Sequence, residues 1–170
     1  RKELYSNKQS YNWKGHSDTE TILACLEFWG IDKTLVALKG MFAIAIWDLA
    51  NKELYLSRDI MGEKPLYFGW GREVFYFASE LKALQEHTFF IKEINKSAVK
   101  SLMEFSYIKT PYSIFKNIFK LYPGTVLKAK IGINKDISIN YPKINFEYKS
   151  FKICQWWSLK KNISSSFKKT

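Results

Sequence analysis

The apolar positions change period along the chain, and each change marks an element. From Thr19 to Trp29, Ile22, Leu23, Leu26 and Trp29 recur at helical spacing, and Gly30 follows as a stop. The period then shortens. Gly40 to Asp48 (GMFAIAIWD) is apolar on both faces, which predicts a strand covered on both sides. Phe42, Ile44 and Ile46 make its bulky face. Ala43 and Ala45 make a small face that allows close approach of a second layer. A turn at Ala50-Asn51-Lys52 leads to a second strand, Glu53 to Arg58, with Tyr55 on one side and Leu54 and Leu56 on the other. After the loop 59–65, a third strand (Leu66-Tyr67-Phe68) and a fourth (Glu73 to Ala78) flank a Gly69-Trp70-Gly71 turn. Four short strands joined by tight turns predict an antiparallel meander.

Helical spacing returns twice. Ser79 to Leu84 reads as a short helical turn. Ser97 to Tyr107 reads as a helix capped by Ser97, with an apolar stripe of Val99, Leu102, Met103 and Phe105, and ended by Pro111. Pro123-Gly124 marks a turn, and Val126 to Ile131 one more strand. Near the start, residues 2–9 suggest a short helix and residues 11–14 (YNWK) a brief extended piece. Past about residue 134 the periodicity fades, and the tail 160–169 reads as mobile. The pattern is α+β, without an internal repeat.

Composition narrows the class. The chain has 170 residues, 46% hydrophobic and 17% aromatic, which supports a real core and excludes general disorder. No run approaches the roughly 20 apolar residues of a membrane span, and no secretory signal is visible. The first residue is Arg1 rather than Met, so a fragment or a processed form is expected. Cys25 and Cys154 lie far apart with no CxxC and read as reduced thiols of a cytoplasmic protein. His16 and His87 fit no metal-ligand spacing, so no metal site is expected. The net charge of +11 raises nucleic acid as a partner. Its distribution argues against one. Residues 1–86 carry 11 basic and 12 acidic side chains and residues 87–170 carry 16 and 4, so the excess sits in a segment biased to Ile, Asn and Lys.

Candidate chemistry begins at Gly15-His16-Ser17-Asp18-Thr19-Glu20. Ser17-x-x-Glu20 is a capping box: the Ser17 hydroxyl accepts from the Glu20 N–H, and the Glu20 carboxylate reaches back to the Ser17 N–H. Asp18 is left in the first turn with no capping task. The helix dipole favours its charge there, so a surface carboxylate at a helix start accounts for it without any function.

The succession of GHSDTE, GMFAIAIWD, LYLSRDIMGEKPLYF, FYFASELKAL, YPGTVLKAK and Gln155-Trp156-Trp157 resembles the glutaminase domain of glutamine-hydrolysing asparagine synthetases. That domain is a class II amidotransferase of the N-terminal-nucleophile hydrolase type. The resemblance covers roughly residues 1–130 and continues weakly to Trp157. It implies a four-layer αββα sandwich, here missing its first strands. It implies an amidotransferase domain over residues 1–133, with 134–170 leading toward an absent ATP-dependent synthetase domain.

In such enzymes an N-terminal cysteine attacks the side-chain amide of glutamine, with its own α-amine as base. Ammonia passes to the second domain and converts aspartate to asparagine. The resemblance makes Asp18 the ligand of the glutamine α-amino group, in a charge-assisted hydrogen bond. It assigns no catalytic residue here, because the nucleophile, a glutamine-binding arginine and the oxyanion-hole segment precede residues 2–9 in the family. Cys25, on an apolar helix face, and Cys154 do not replace the nucleophile. The 170-residue chain is therefore expected to be inactive on glutamine. ATP and magnesium are expected only for the synthetase domain, and none for this segment.

Expected partners are glutamine and that domain, with a homodimer left open and no membrane. Arg58-Asp59 and Lys64-Pro65 read as a tight loop fixed by Gly62 and Pro65, with Arg58 and Asp59 paired in the sandwich. The functional alternative puts Lys64 at an ammonia exit or domain interface. Ile60 and Glu63 depart from the family form. Rival readings are the front domain of a β-lactam-forming or peptide-modifying relative, and a non-catalytic module with a basic surface.

Overall fold

A computed structural model describes residue 4 and residues 11–71, 74–130, 142–148 and 151–160. Apart from Leu4, which is buried, the helix expected at 2–9 lies outside these residues, as does the tail from 161. The chain divides into two compact units, residues 1–39 and residues 40–170.

In the first unit, helix α1 (Asp18–Ala37) begins where the capping pattern places it. Ser17 is extended (φ −72°, ψ 151°), and its Oγ accepts from Glu20 N at 3.2 Å. The Glu20 carboxylate reaches further back than a capping box requires. It accepts from Lys14 N at 2.6 Å and Gly15 N at 3.0 Å. The stop expected at Gly30 is a break instead. Gly30 leaves helical space (φ 75°, ψ 175°), and helical turns resume to Ala37. Glycine takes that φ without the steric cost of a Cβ, and the residues after it keep forming helix. Ala24, Thr34 and Leu35 are fully buried. Tyr11 packs its ring on Trp13 and Phe28, at 4.7 and 6.3 Å between centroids. Residues 11–14 form no strand.

The second unit holds two antiparallel sheets rather than one meander. Strands β1 (Ala43–Asp48) and β2 (Glu53–Arg58) form a hairpin in a five-stranded sheet. Strands β3 (Tyr67–Gly71) and β4 (Val74–Ala78) form a hairpin in a three-stranded one. Helix α2 (Leu81–Gln85) and helix α3 (Lys96–Phe105) follow, then strands β5 (Ile118–Lys120), β6 (Thr125–Lys130), β7 (Phe146–Tyr148) and β8 (Phe151–Gln155). The sheet orders are β1-β2-β6-β8-β7 and β4-β3-β5.

The register puts Leu56 opposite Leu127, and Leu127 opposite Ile153, on one face of the larger sheet. These residues, with Leu54, Ala129 and Phe151, meet Phe68 and Phe119 of the smaller sheet, and Leu66 just ahead of it, in one core. Phe68 is fully buried and lies 6.1 Å from Phe151, ring to ring, across the two sheets. Burial of each such side chain is worth about 1.5–3 kcal/mol. A second cluster, Tyr76, Leu84, Phe115 and Ile118, involves β4, α2 and β5.

Several expectations yield to packing. The β1 strand is only partly covered: Ala45 and Trp47 are exposed, Ile44 and Ile46 half-buried, and among the described residues β1 ends its sheet. Gly69-Trp70-Gly71 belongs to β3 and is not a turn. Trp70 holds it in the sheet by packing on Phe75 and Phe151, at 4.8 and 5.1 Å. Helix α3 is capped by Asn95, not Ser97; one Asn95 oxygen accepts from both Ser97 N and Ala98 N. It ends at left-handed Ser106 (φ 63°), before Pro111 is reached. Its stripe is half-exposed, and Met103 almost wholly so.

Strands β7 and β8 lie past residue 133 and extend the larger sheet. Trp156 N and Trp157 N then bond back to Gly124 O, and Trp156 Nε1 donates to Ser57 Oγ at 3.1 Å.

The switch from one sheet to the other is fixed at Asp59, which is fully buried. Its N–H donates to Phe42 O at 2.9 Å, and its carbonyl accepts from Gly62 N and Gly124 N, both at 3.1 Å. Its carboxylate accepts from Glu63 N at 2.8 Å and Lys64 N at 3.0 Å. Arg58 does not pair with it. The guanidinium donates to Leu121 O at 3.0 Å and to Gly62 O. Gly62 sits at φ +70°, and a Cβ there would come within 2.8 Å of Arg58 Nη2 and of Pro123. Burial would raise the Asp59 carboxyl pKa, but the N–H groups of Lys64, Glu63 and Gly62 outweigh it and hold it below the usual carboxylate value.

Asp59→Ala removes the charged acceptor of the Glu63 and Lys64 N–H groups, so denaturant unfolding at neutral pH should show a loss of about 1.5–3 kcal/mol. Because the folded pKa is depressed, this contribution is complete above the unfolded value of about 3.9. It disappears as pH falls through the folded one. The difference between wild type and variant should therefore close in acid and not in base.

Candidate functional site

Asp18 is the one site residue that the sequence singles out, and the structure places it at the first position of α1. Ser17 and Glu20 hold the backbone on either side of it. The Thr21 hydroxyl also donates to Ser17 O at 3.2 Å. Asp18 itself is exposed, and its carboxylate has no hydrogen bond or ion pair among the described residues. A carboxylate with a fixed backbone and unused acceptors is suited to an ammonium group, because little ordering is lost on pairing.

The two cysteines lie in regular elements. Cys25 is within α1, and Cys154 is in β8 opposite Val126. Both are half-buried thiols in no disulfide. His87 has a local role: its Nδ1 accepts from Phe89 N at 3.2 Å, and its ring meets Tyr76 edge-on at 5.1 Å. Among the described residues no three His, Cys, Asp or Glu side chains gather as metal ligands. None of the helices described is long and apolar enough to cross a membrane.

Lys64 contributes its backbone N–H to Asp59, and its side chain is exposed. Pro65 belongs to a different feature that sequence reading missed. A cavity of about 350 Å³ is walled by Arg58, Gly62, Pro65, Tyr67, Thr110 and Lys120, with Leu66, Tyr107 and Ile108 completing it. Lys120 donates to Ile108 O at 2.7 Å. Arg58 was visible in its motif. Lys120 was not, because it reaches the wall only through the pairing of Tyr67 with Lys120 in the β3–β5 ladder.

A family model described as a glutamine amidotransferase domain matches residues 1–139. The chain is 34% identical over 140 residues to asparagine synthetase (glutamine-hydrolyzing) 1 of Bacillus subtilis, which covers 82% of this chain and 22% of that protein. It is 31% identical over 136 residues to asparagine synthetase (glutamine-hydrolyzing) 3 of the same organism, covering 79% and 22%. With asparagine synthetase (glutamine-hydrolyzing) 2 of Oryza sativa subsp. japonica it shares 38% identity over 85 residues, covering 49% and 14%. The chain thus spans less than a quarter of the length of these relatives. It belongs to the glutamine amidotransferase domain family.

Proposed function

We propose that this chain is the glutaminase portion of an asparagine synthase-like enzyme, the part that binds glutamine and yields ammonia for ATP-dependent conversion of aspartate to asparagine. In this reading Asp18 pairs with the α-ammonium of glutamine. The two facing sheets of residues 40–170 are the inner layers of a four-layer αββα sandwich. ATP and magnesium act in the synthetase domain, not on residues of this segment.

One observation carries the assignment. At the start of α1 Ser17 caps the helix, Glu20 ties back to Lys14 N and Gly15 N, and Asp18 keeps its carboxylate unpaired among the described residues. A carboxylate serving only the helix would gain from the dipole alone, worth about 0.3–1 kcal/mol when exposed. A substrate ligand must instead stay free of local partners, as this one does. The match to a glutamine amidotransferase domain, and relatives at 31–38% identity, supply the reaction class.

The nucleophile in this chemistry uses its own α-amine as base. Cys25 and Cys154 are internal residues of regular elements and carry no such amine. Neither is the nucleophile in this proposal.

Two measurements test the assignment in the full-length protein that carries this domain. Asp18→Ala should raise the glutamine requirement by about a hundredfold, the loss of one charge-assisted contact of about 1.5–3 kcal/mol. Activity with free ammonia should stay near wild type. Equal loss of both activities would make Asp18 structural and overturn the assignment. Separately, Cys25→Ala and Cys154→Ser should leave glutamine-dependent and ammonia-dependent activity in their original ratio. Selective loss of the glutamine reaction in either variant contradicts the proposal.

A further inference from the structure

The cavity beside the 58–66 loop holds two positive charges and no negative one. Its wall includes Arg58 and Lys120, and no Asp or Glu contributes to it. Arg58 is only 6% exposed. Its Nη atoms each donate to a backbone carbonyl, and its Nε, which is buried, has no hydrogen-bond partner. Lys120 is half-buried and gives one of its three N–H donors to Ile108 O. Among the described residues neither cation has an ion-pair partner. The one nearby carboxylate, that of Asp59, is engaged with the N–H groups of Glu63 and Lys64.

Two cations on one wall with no countercharge among the described residues repel each other, and a negative group entering the space would relieve that. Carbonyl dipoles satisfy some donors but add no countercharge. We propose that this cavity is a binding site for a small dianionic oxyanion of the phosphate class, held between Arg58 and Lys120. The charge balances: a phosphate group carries about −1.5 to −2 at neutral pH, with strong acceptor oxygens. The spare donors of Lys120, beside the Arg58 charge, suit a tetrahedral group with several acceptors better than a single carboxylate, while the buried Nε of Arg58 reports on the wall rather than touching the ligand. Tyr67 and Thr110 line the same wall. Burial, aided by the charge of Arg58, lowers the Lys120 pKa. A bound dianion would reverse that direction. At about 350 Å³ the space lies at the lower end of small-molecule sites and admits a small phosphate monoester as well as the free ion.

The site is independent of the glutaminase reading, and its test reads binding alone. The chain has three arginines, Arg1, Arg58 and Arg72, so the Arg58 Nε–H resonance can be assigned in the full chain. Inorganic phosphate, glycerol phosphate and acetate are titrated at physiological ionic strength. The proposal expects a saturable shift of the Arg58 signal with both phosphate probes and none of comparable affinity with acetate. Tighter binding of glycerol phosphate assigns the spare volume to an organic group. Equal or tighter binding of inorganic phosphate assigns the site to the free ion. Lys120→Met should weaken the phosphate affinity by about tenfold or more, while Lys82→Met, which alters an exposed lysine on α2, should not. No saturable shift in the wild type, an acetate response equal to that of phosphate, or equal effects of the two lysine variants overturns the proposal. The wild-type titration decides the matter even if Lys120→Met fails to fold.

Discussion

A buried aspartate, whose backbone reaches distant segments while its carboxylate accepts from its own loop, is the constraint on which the second unit depends. Asp59 takes part in five backbone contacts: with Phe42 ahead of β1, with Gly62, Glu63 and Lys64 in its own loop, and with Gly124 ahead of β6. These segments border three different strands. Hydrophobic burial drives the two sheets together but is non-directional. It does not dictate where the chain leaves one sheet for the other. The Asp59 contacts do: its backbone N–H and carbonyl tie the loop to Phe42 and Gly124, and its carboxylate holds the loop's own turn through Glu63 N and Lys64 N. Arg58, the preceding residue, fastens the same loop from the other side through Leu121 O and Gly62 O.

This division of labour connects fold to chemistry. The apolar core of Leu56, Phe68, Leu127 and Phe151 supplies rigidity. The loop built on Asp59 then presents Arg58 on a cavity wall that Lys120 completes from β5. In the first unit the same principle operates at smaller scale. Ser17 and Glu20 satisfy the opening N–H groups near α1, and Asp18 is thereby released from local work. In both places one set of polar groups fixes the backbone so that a neighbouring charged side chain is left with unused capacity. That capacity is the physical content of the proposed glutamine contact and of the proposed oxyanion site.

Local signals were legible where they are self-contained. The start of α1, the limits of β2 and the alternation of Leu54 and Leu56 against Tyr55 follow from residues within a few positions of one another. Tertiary choices were not. Nothing in the sequence of β1 to β4 says that the second hairpin leaves the first sheet, because that switch is enforced by Phe42 and Gly124, distant in sequence. Gly69-Trp70-Gly71 has turn composition, yet Trp70 is claimed by Phe151 from another strand. The strands β7 and β8 follow an Ile-, Asn- and Lys-rich stretch, and their own alternation, Phe146-Glu147-Tyr148 and Phe151-Lys152-Ile153, is too short to stand out beside it. Asp18 was singled out by its motif, and its role is a proposal. Lys120 became a site residue only through cross-strand pairing.

The carboxyl of Asp59 can be followed directly by carbon-detected NMR through an acid titration of the folded chain. Burial without compensation would push its pKa above the ordinary aspartate value, whereas acceptance of backbone N–H groups pulls it below. The account predicts a midpoint below that of an ordinary aspartate, with the Glu63 and Lys64 amide resonances moving at the same pH. A midpoint at or above the ordinary value, or amides that do not respond, would contradict it.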